Sequence, residues 1–411
     1  MKDNVTGEYP TMPAVSVIIP NYNQSHFVSR AILSALSQSR TPDEIIVVDD
    51  GSSDNSREVV ARFGDRVRYL RQKNQGLAGA RNTGIQASAG ELIGLLDADD
   101  EWKPEYLEAM ISLAGEHPDA LVYYCTARCM DVDGQDMPQF VGGPPVEPHA
   151  LYQRLLRANF IIPSTVLLRR KPIMEAGMFD STLRSCEDWD LWLRLLPTGK
   201  LIGSPKSMVR YRVHGNSLST RVQGMHDAAR QVVEKHFGSD EGTPQRWAPE
   251  KRRAYGGLYR YQAITFIQRQ NNWEAAVTPF HKAFEADPSL ALDLDFFYEL
   301  ALGTQPVGHR DASAVQEFEA NATHMGTLLR TMAASRKRAP WRSDVLATAY
   351  HALGLVAYNF GDRKLCRGYF LRALFYKPEL LFKTRVAGIF MKSFLRKQNV
   401  GANKTRADIA L

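Results

Sequence analysis

Two short stretches of this chain combine acids at spacings that suit chemistry. In LLDADD, Asp97 and Asp99 stand two apart after an apolar run. In extended backbone alternate side chains share a face, so both carboxylates address one point. Two such hard oxygen ligands suit Mg²⁺ or Mn²⁺, which takes one or two carboxylates and completes its octahedron with water and substrate phosphate oxygens. The ligand this implies is a nucleotide diphosphate. The same aspartates equally suit an ordinary turn closing a strand. In SCEDWDLWLRL, Ser185 reads as a helix N-cap and Trp189, Trp192, Leu193 and Leu196 as the buried face, which puts Glu187, Asp188 and Asp190 in the first turns. The helix dipole favours acids there, so capping electrostatics alone would account for them.

The elements that position these groups are legible from Pro13 to about Ala98. Apolar runs at Val15–Ile19, Glu44–Val48, Arg66–Leu70 and Glu91–Leu96 read as strands, alternating with helices on Phe27, Ala31, Leu33 and Leu36 and over Leu77–Ala87. This is the pattern of a parallel α/β sheet, in which ligands lie beyond the carboxyl ends of the strands. Those ends carry Asn21, Tyr22 and Asn23, then Asp49 and Asp50, then Asp97, Asp99 and Asp100. Residues Asp131 to Ala150, rich in Pro and Gly, read as a loop that would serve as a lid.

Beyond Arg221 the chain turns helical, with a linker at Gly238 to Pro244. Ala276, Phe280, Ala283 and Pro288 share one spacing with Cys366, Phe370, Ala373 and Pro378. This resembles tetratricopeptide repeats, in which paired helices pack small residues against aromatics and stop at a proline. A generic helical bundle is the alternative.

Five motifs in order, VSVIIPNYN, VVDDGSSDNS, NQGLAGARNTGI, LLDADD and EDWDLWLRL, resemble the family 2 glycosyltransferases of GT-A fold over residues 13 to 220. The resemblance implies a Rossmann-like, mostly parallel sheet followed by an all-α helical-repeat domain. The expected layout is an N-terminal tail (1–12), the catalytic domain (13–222), a helix and linker (223–245), the TPR-like domain (246–385) and a basic amphipathic tail (386–411). It further implies Pro20 and Tyr22 against the nucleobase and Asp50 on the uracil or ribose side, with Asn74, Gly76 and Arg81 closing over nucleotide and donor sugar and Arg81 facing the diphosphate. Arg81 also reads as a surface helix arginine. Asp97 and Asp99 would hold Mn²⁺ or Mg²⁺, with His214 completing the metal or touching the diphosphate; a lone histidine is as readily structural. In the family the ED position supplies the general base, which assigns that role to Asp188 and leaves Glu187 to orient the loop or acceptor. The implied reaction is a single displacement that inverts the anomeric carbon of a nucleotide-diphosphate sugar, UDP-linked, with a glycan, lipid-linked sugar or protein as acceptor in polysaccharide or glycoconjugate synthesis.

Composition bounds this reading. The chain has 411 residues, 44% hydrophobic and 23% charged, which is ordinary globular usage. Cys125, Cys129, Cys186 and Cys366 form no CxxC pair, so no zinc or disulfide framework is expected. No apolar run reaches the roughly 18 residues of a membrane span and the start lacks a signal-peptide core, so a cytoplasmic protein is expected. Net charge is +6, but Gly361 to Leu411 holds 12 Lys and Arg against 3 Asp and Glu, leaving the rest at −3. An acidic body argues against a nucleic-acid substrate. The tail, with Leu381, Phe382, Ile389, Phe390 and Phe394 among Lys383, Arg385, Lys392, Arg396 and Lys397, suits either a cap on the repeats or peripheral contact with the cytoplasmic membrane face.

Rossmann GxGxxG, P-loop and HExxH patterns are absent. The rival function is an inactive sugar-nucleotide-binding scaffold that meets a protein partner through its repeats; a nucleotidyltransferase would share metal and nucleotide but not need the ED helix.

Overall fold

A computed structural model describes residues 13–142, 145–215, 221–305, 317–334, 340–382 and 384–394. The chain divides into two compact units, Met1–Leu155 with Asn159–Arg212, and Leu156–Ala158 with Val213–Leu411.

The first unit is built on nine strands: β1 (Val15–Asn21), β2 (Glu44–Asp49), β3 (Arg68–Arg71), β4 (Leu92–Leu95), β5 (Glu101–Trp102), β6 (Ala120–Met130), β7 (Asp136–Val141), β8 (Val166–Arg169) and β9 (Lys200–Arg212). Their order is β3-β2-β1-β4-β8-β6-β9-β5, with β7 on β6. The β3-β2-β1-β4 portion is parallel, and β8 enters antiparallel between β4 and β6. Strand progression reverses between β1 and β4, and at such a switch point the loops beyond the strand ends splay into a crevice.

The helices of this part are α1 (Val28–Leu36), α2 (Ser56–Ala61), α3 (Gly76–Ala87), α4 (Tyr106–Glu116), α5 (Pro148–Arg157), α6 (Arg170–Glu175) and α7 (Glu187–Leu195). Val15, Val17 and Ile19 alternate into a core with α1 and α4. Ile18 points the other way, where a Cβ on Gly84 of α3 would stand 2.4 Å from it. Strands buried on both faces explain why their runs are continuously apolar. Pro20 is tolerated in the central β1 because pairing with β4 ends at Ile18, so its missing N–H faces no ladder partner.

Three expectations change. The buried stripe of α1 is Val28, Ala31, Ile32 and Ala35, while Leu33 is exposed, because the i, i+3, i+4, i+7 spacing starts one residue later than read. Within 131–150 the structure has β7, held on β6, and the start of α5; Pro138 is accommodated on an outer strand that, among the described residues, pairs with β6 alone. Ser185 is not the cap of α7: Cys186 holds that place in left-handed backbone (φ 61°) without a side-chain cap bond.

The second unit comprises α8 (Val222–Phe237), α9 (Pro249–Gln270), α10 (Trp273–Ala286), α11 (Leu294–Leu302), α12 (Phe318–Ala334), α13 (Arg342–Phe360), α14 (Arg363–Tyr376) and α15 (Thr384–Lys392). The repeated spacing is the buried seam of α10 (Ala276, Phe280, Ala283) and of α14 (Cys366, Phe370, Ala373), packed on α9 and α13. Pro288 and Pro378 each open the short 3-10 turn that follows. On α15, Phe390 packs against Phe370 at 6.1 Å, whereas Phe382 just before it is 88% exposed. The tails at 1–12 and from 395 onward lie outside the described residues. No described helix is long and apolar enough to cross a membrane.

Candidate active site

The loops after β1, β2 and β4 carry most of the expected residues. After β2 the two adjacent aspartates do different structural work. Asp49 Oδ1 accepts the Ser52 N–H at 2.7 Å and its Oδ2 accepts the Tyr69 hydroxyl, which fixes the turn. Asp50 takes three bonds: Gln72 Nε2 and Gln75 N donate to Oδ1 at 2.7 and 2.8 Å, and Gly76 N donates to Oδ2 at 2.8 Å. Asp50 thus fastens the start of α3 to the end of β2. The fastening demands a tight passage. A Cβ on Gly51 (φ 84°) would come within 3.1 Å of Asn74 N, so glycine answers both the left-handed backbone and the contact. Tyr22 (51% exposed), Asn74 and Gly76 line the open side of these loops.

After β4 the chain turns sooner than expected. Asp97 to Asp100 form a turn closed by Asp100 N on Asp97 O (3.0 Å), so Asp97 and Asp99 are not alternate residues of a strand. Ser164, fully buried, accepts the Asp97 N–H at 3.1 Å through its hydroxyl, and its carbonyl accepts from Trp102 Nε1 at 2.7 Å. Arg212 of β9 donates from its Nε to Asp99 O (2.8 Å), and its backbone N–H goes to Asp100 Oδ1 (2.9 Å). Asp97 and Asp99 remain partly exposed while Asp100 is buried.

Arg81 joins this turn to α7. Its guanidinium, 1% exposed, donates to Asp97 Oδ1 at 2.6 Å and Glu187 Oε1 at 2.5 Å and lies over the Phe179 ring. Burial alone would weaken the proton's hold, but Asp97 and then Glu187 outweigh it and keep the group charged. Neither the surface helix arginine nor a guanidinium free for a diphosphate describes it. α3 is small-residue-rich, which lets it approach β1 closely and carry Arg81 inward; Asn82 exchanges two bonds with the Phe179 backbone beside it.

Asp188 is held differently from its neighbour. Asn159 Nδ2 donates to Oδ2 and Trp189 N to Oδ1, both at 2.7 Å. α7 itself is anchored by Trp189 Nε1 on Leu155 O (2.7 Å) and Trp192 Nε1 on Ile161 O (3.1 Å). Asp188 as a residue is half-buried, and its carboxyl is surrounded by protein. Burial first, and the Glu187 charge second, push it up to about 7, against the downward pull of Arg81. A carboxylate so placed suits proton abstraction near neutral pH far better than an exposed one.

The donor set at the Asp97–Asp100 turn fits a hard cation. Asp100 Oδ2 is buried with no hydrogen-bond partner among the described residues. Burial, then Asp99 and Asp97, push the Asp100 carboxyl well above the usual range, which marks an excess of negative charge. Such a turn suits an ion bound by one or two carboxylates and finished by water and phosphate oxygens. A three-ligand protein cage is a different matter. Among the described residues no three His, Cys, Asp or Glu side chains are grouped to hold a metal. His214 follows β9, in the second unit.

Sequence reasoning missed Asn159 and Arg212. Asn159 sits in a short irregular stretch with no periodicity to mark it, and Arg212 reads as one more strand arginine.

Residues 16–177 match the family described as Glycosyl transferase family 2. Over 214 residues the chain is 30% identical to TuaG of Bacillus subtilis, provisionally named a teichuronic acid biosynthesis glycosyltransferase, which covers 51% of this chain and 82% of that protein. It is 46% identical over 103 residues to an uncharacterized glycosyltransferase of Nostoc sp., 24% of this chain and 32% of that one. A mannosyltransferase of Pyrobaculum calidifontis, solved with GDP-Man and Mn²⁺, aligns over 85% of this chain and 88% of its own at 17% identity and a TM-score of 0.48. The chain belongs to glycosyltransferase family 2, and its mixed, mostly parallel sheet is GT-A-like. It spans only 32 to 64% of the length of several curated relatives it matches.

Proposed function

We propose that the chain is an inverting glycosyltransferase that moves a sugar from a nucleotide-diphosphate donor, UDP-linked, to a hydroxyl of a glycan, lipid-linked sugar or protein in polysaccharide or glycoconjugate synthesis, with residues 13–222 as its catalytic domain. The observation that carries this reading is Asp188: a half-buried residue whose carboxyl is raised toward neutrality, on a helix tied through Glu187 and Arg81 to the turn of Asp97 and Asp99.

In this reading Asn159 holds one Asp188 oxygen so that the carboxylate receives the acceptor hydroxyl proton as the sugar–phosphate bond breaks. An anomeric carbon attacked directly from the opposite face is inverted. Glu187 is a positioning residue, because its ion pair with Arg81 sets the distance between base and donor turn. Asp99, with Asp97, would hold Mn²⁺ or Mg²⁺, and the ion would supply charge stabilisation for the departing diphosphate. Pro20, Tyr22, Asn74 and Gly76 form the nucleoside side, and Asp50 shapes it by holding α3. The basic tail adds peripheral membrane contact.

The test incubates the full chain with candidate nucleotide sugars and follows both products. Release of nucleoside diphosphate with an inverted glycoside supports the reading. Pyrophosphate release would make the protein a nucleotidyltransferase, and donor binding without turnover would make it a scaffold.

A further inference from the structure

Three helices of the second unit, α12, α13 and α14, enclose a cavity of about 370 Å³. Its wall carries Arg330, Arg342 and Arg372 together with Tyr350, Tyr369 and Tyr376, and among the described residues no acidic one lines it. The tyrosines form a ladder: Tyr350 stacks near-parallel to Tyr369 at 6.4 Å and to Tyr376 at 6.0 Å. Arg372 lies over both Tyr350 and Tyr369, at 5.7 and 5.9 Å. The nearby carboxylates stand outside the wall: Asp344 is paired with Lys377 at 2.7 Å, and Glu319 and Asp362 act on Tyr369 from beyond the lining. Three cations around one cavity without a carboxylate among them repel one another, and an anionic occupant relieves that repulsion.

We propose that this cavity binds an anionic saccharide, a sugar unit bearing a carboxylate or phosphate. Parallel aromatic faces suit the apolar face of a pyranose ring, and guanidinium forks suit a planar carboxylate or a phosphate. An acidic peptide could use the same arginines, so what favours a saccharide is the run of near-parallel tyrosine rings beside them. A cavity of this size lies within the usual range for a small-ligand site. The inference rests on the glycosyltransferase reading and deepens it by naming the acceptor class as an anionic glycan, held by the helical unit independently of the chemistry.

The experiment titrates the full chain with galacturonic acid tetrasaccharide and maltotetraose by calorimetry, with a glutamate oligopeptide and a single-stranded oligonucleotide as rivals. The uronate tetrasaccharide is expected to bind with salt-sensitive affinity, at least tenfold tighter than the neutral one, and Arg342→Gln with Arg372→Gln is expected to remove at least tenfold of it. Tyr376→Ala, at a surface position, is expected to weaken both sugars and serves as a second variant with full helical content by circular dichroism. Equal binding of neutral and anionic sugars, binding untouched by these variants, or tighter binding of peptide or oligonucleotide overturns the proposal. Donor turnover is followed in the same samples. Its absence with saccharide binding intact refutes the enzyme reading alone, whereas turnover without saccharide binding refutes this inference alone.

Discussion

Arg81 and Glu187 lie 106 positions apart in the chain and meet at 2.5 Å, with Asp97 on the other side of the same guanidinium. One buried cation therefore sets the separation between the α7 helix and the turn after β4. Removing one partner of a buried ion pair strands the rest: Arg81→Met leaves two carboxylates facing each other and is expected to cost about 3–5 kcal/mol in urea unfolding. A loss under about 1 kcal/mol would contradict the geometry.

That relationship also marks what could and could not be read in advance. The strands from Val15 to Leu95, the ED helix and the small-aromatic seams of α10 and α14 were legible because each is a local pattern of burial. Arg81 was not, since a helix of Gly, Ala, Asn and Thr gives no apolar stripe from which to tell its buried side, and its partners are remote in sequence. The mixed half of the sheet, in which β6 pairs parallel with β9 and antiparallel with β7 and β8, depends on pairings between distant segments, and Pro138 argued against the strand it sits in. At Asp97 the period-2 argument failed because the strand stops at Leu95, and Cys186 took a left-handed backbone that no residue preference would have suggested.

The Asp188 carboxyl gives a pH signature with a definite sign. It sits at about 7 in the folded chain and near 3.8 when unfolded. The stability this group contributes is therefore full below about pH 4 and is lost as pH rises through 7. Its use as a base runs the opposite way, because only the deprotonated form accepts a proton. The kcat/KM profile is expected to fall about tenfold per pH unit below 7 and to level above it. A flat profile from pH 5.5 to 8.5 would exclude this carboxyl as the base.

Asp99→Ala is expected to abolish cation-dependent binding of UDP while leaving the unfolding midpoint of the free protein within about 0.5 kcal/mol, because a partly exposed turn side chain contributes little to folding. A thermal-shift titration of UDP with and without Mn²⁺ measures this; ligand at 100 times its dissociation constant stabilises by about 2.7 kcal/mol. Equal UDP binding in chelator would remove the metal from the account.

Phe382 stands exposed just before α15. The full chain is expected to co-sediment with anionic vesicles and to be released by salt, since each basic residue at such a surface adds about 1 kcal/mol. Phe382→Ser should weaken that binding. Binding equal on neutral vesicles would contradict it.

The central claim, that Asp188 accepts the acceptor proton, is tested most directly by the single-turnover transfer rate of Asp188→Asn with donor affinity measured alongside. The amide keeps the size of the side chain and can still meet a neighbour, but it cannot take the proton. The account predicts a rate lowered by roughly 10²- to 10⁴-fold with donor affinity within about threefold of the wild type. Transfer at the wild-type rate by a folded Asp188→Asn protein would contradict it.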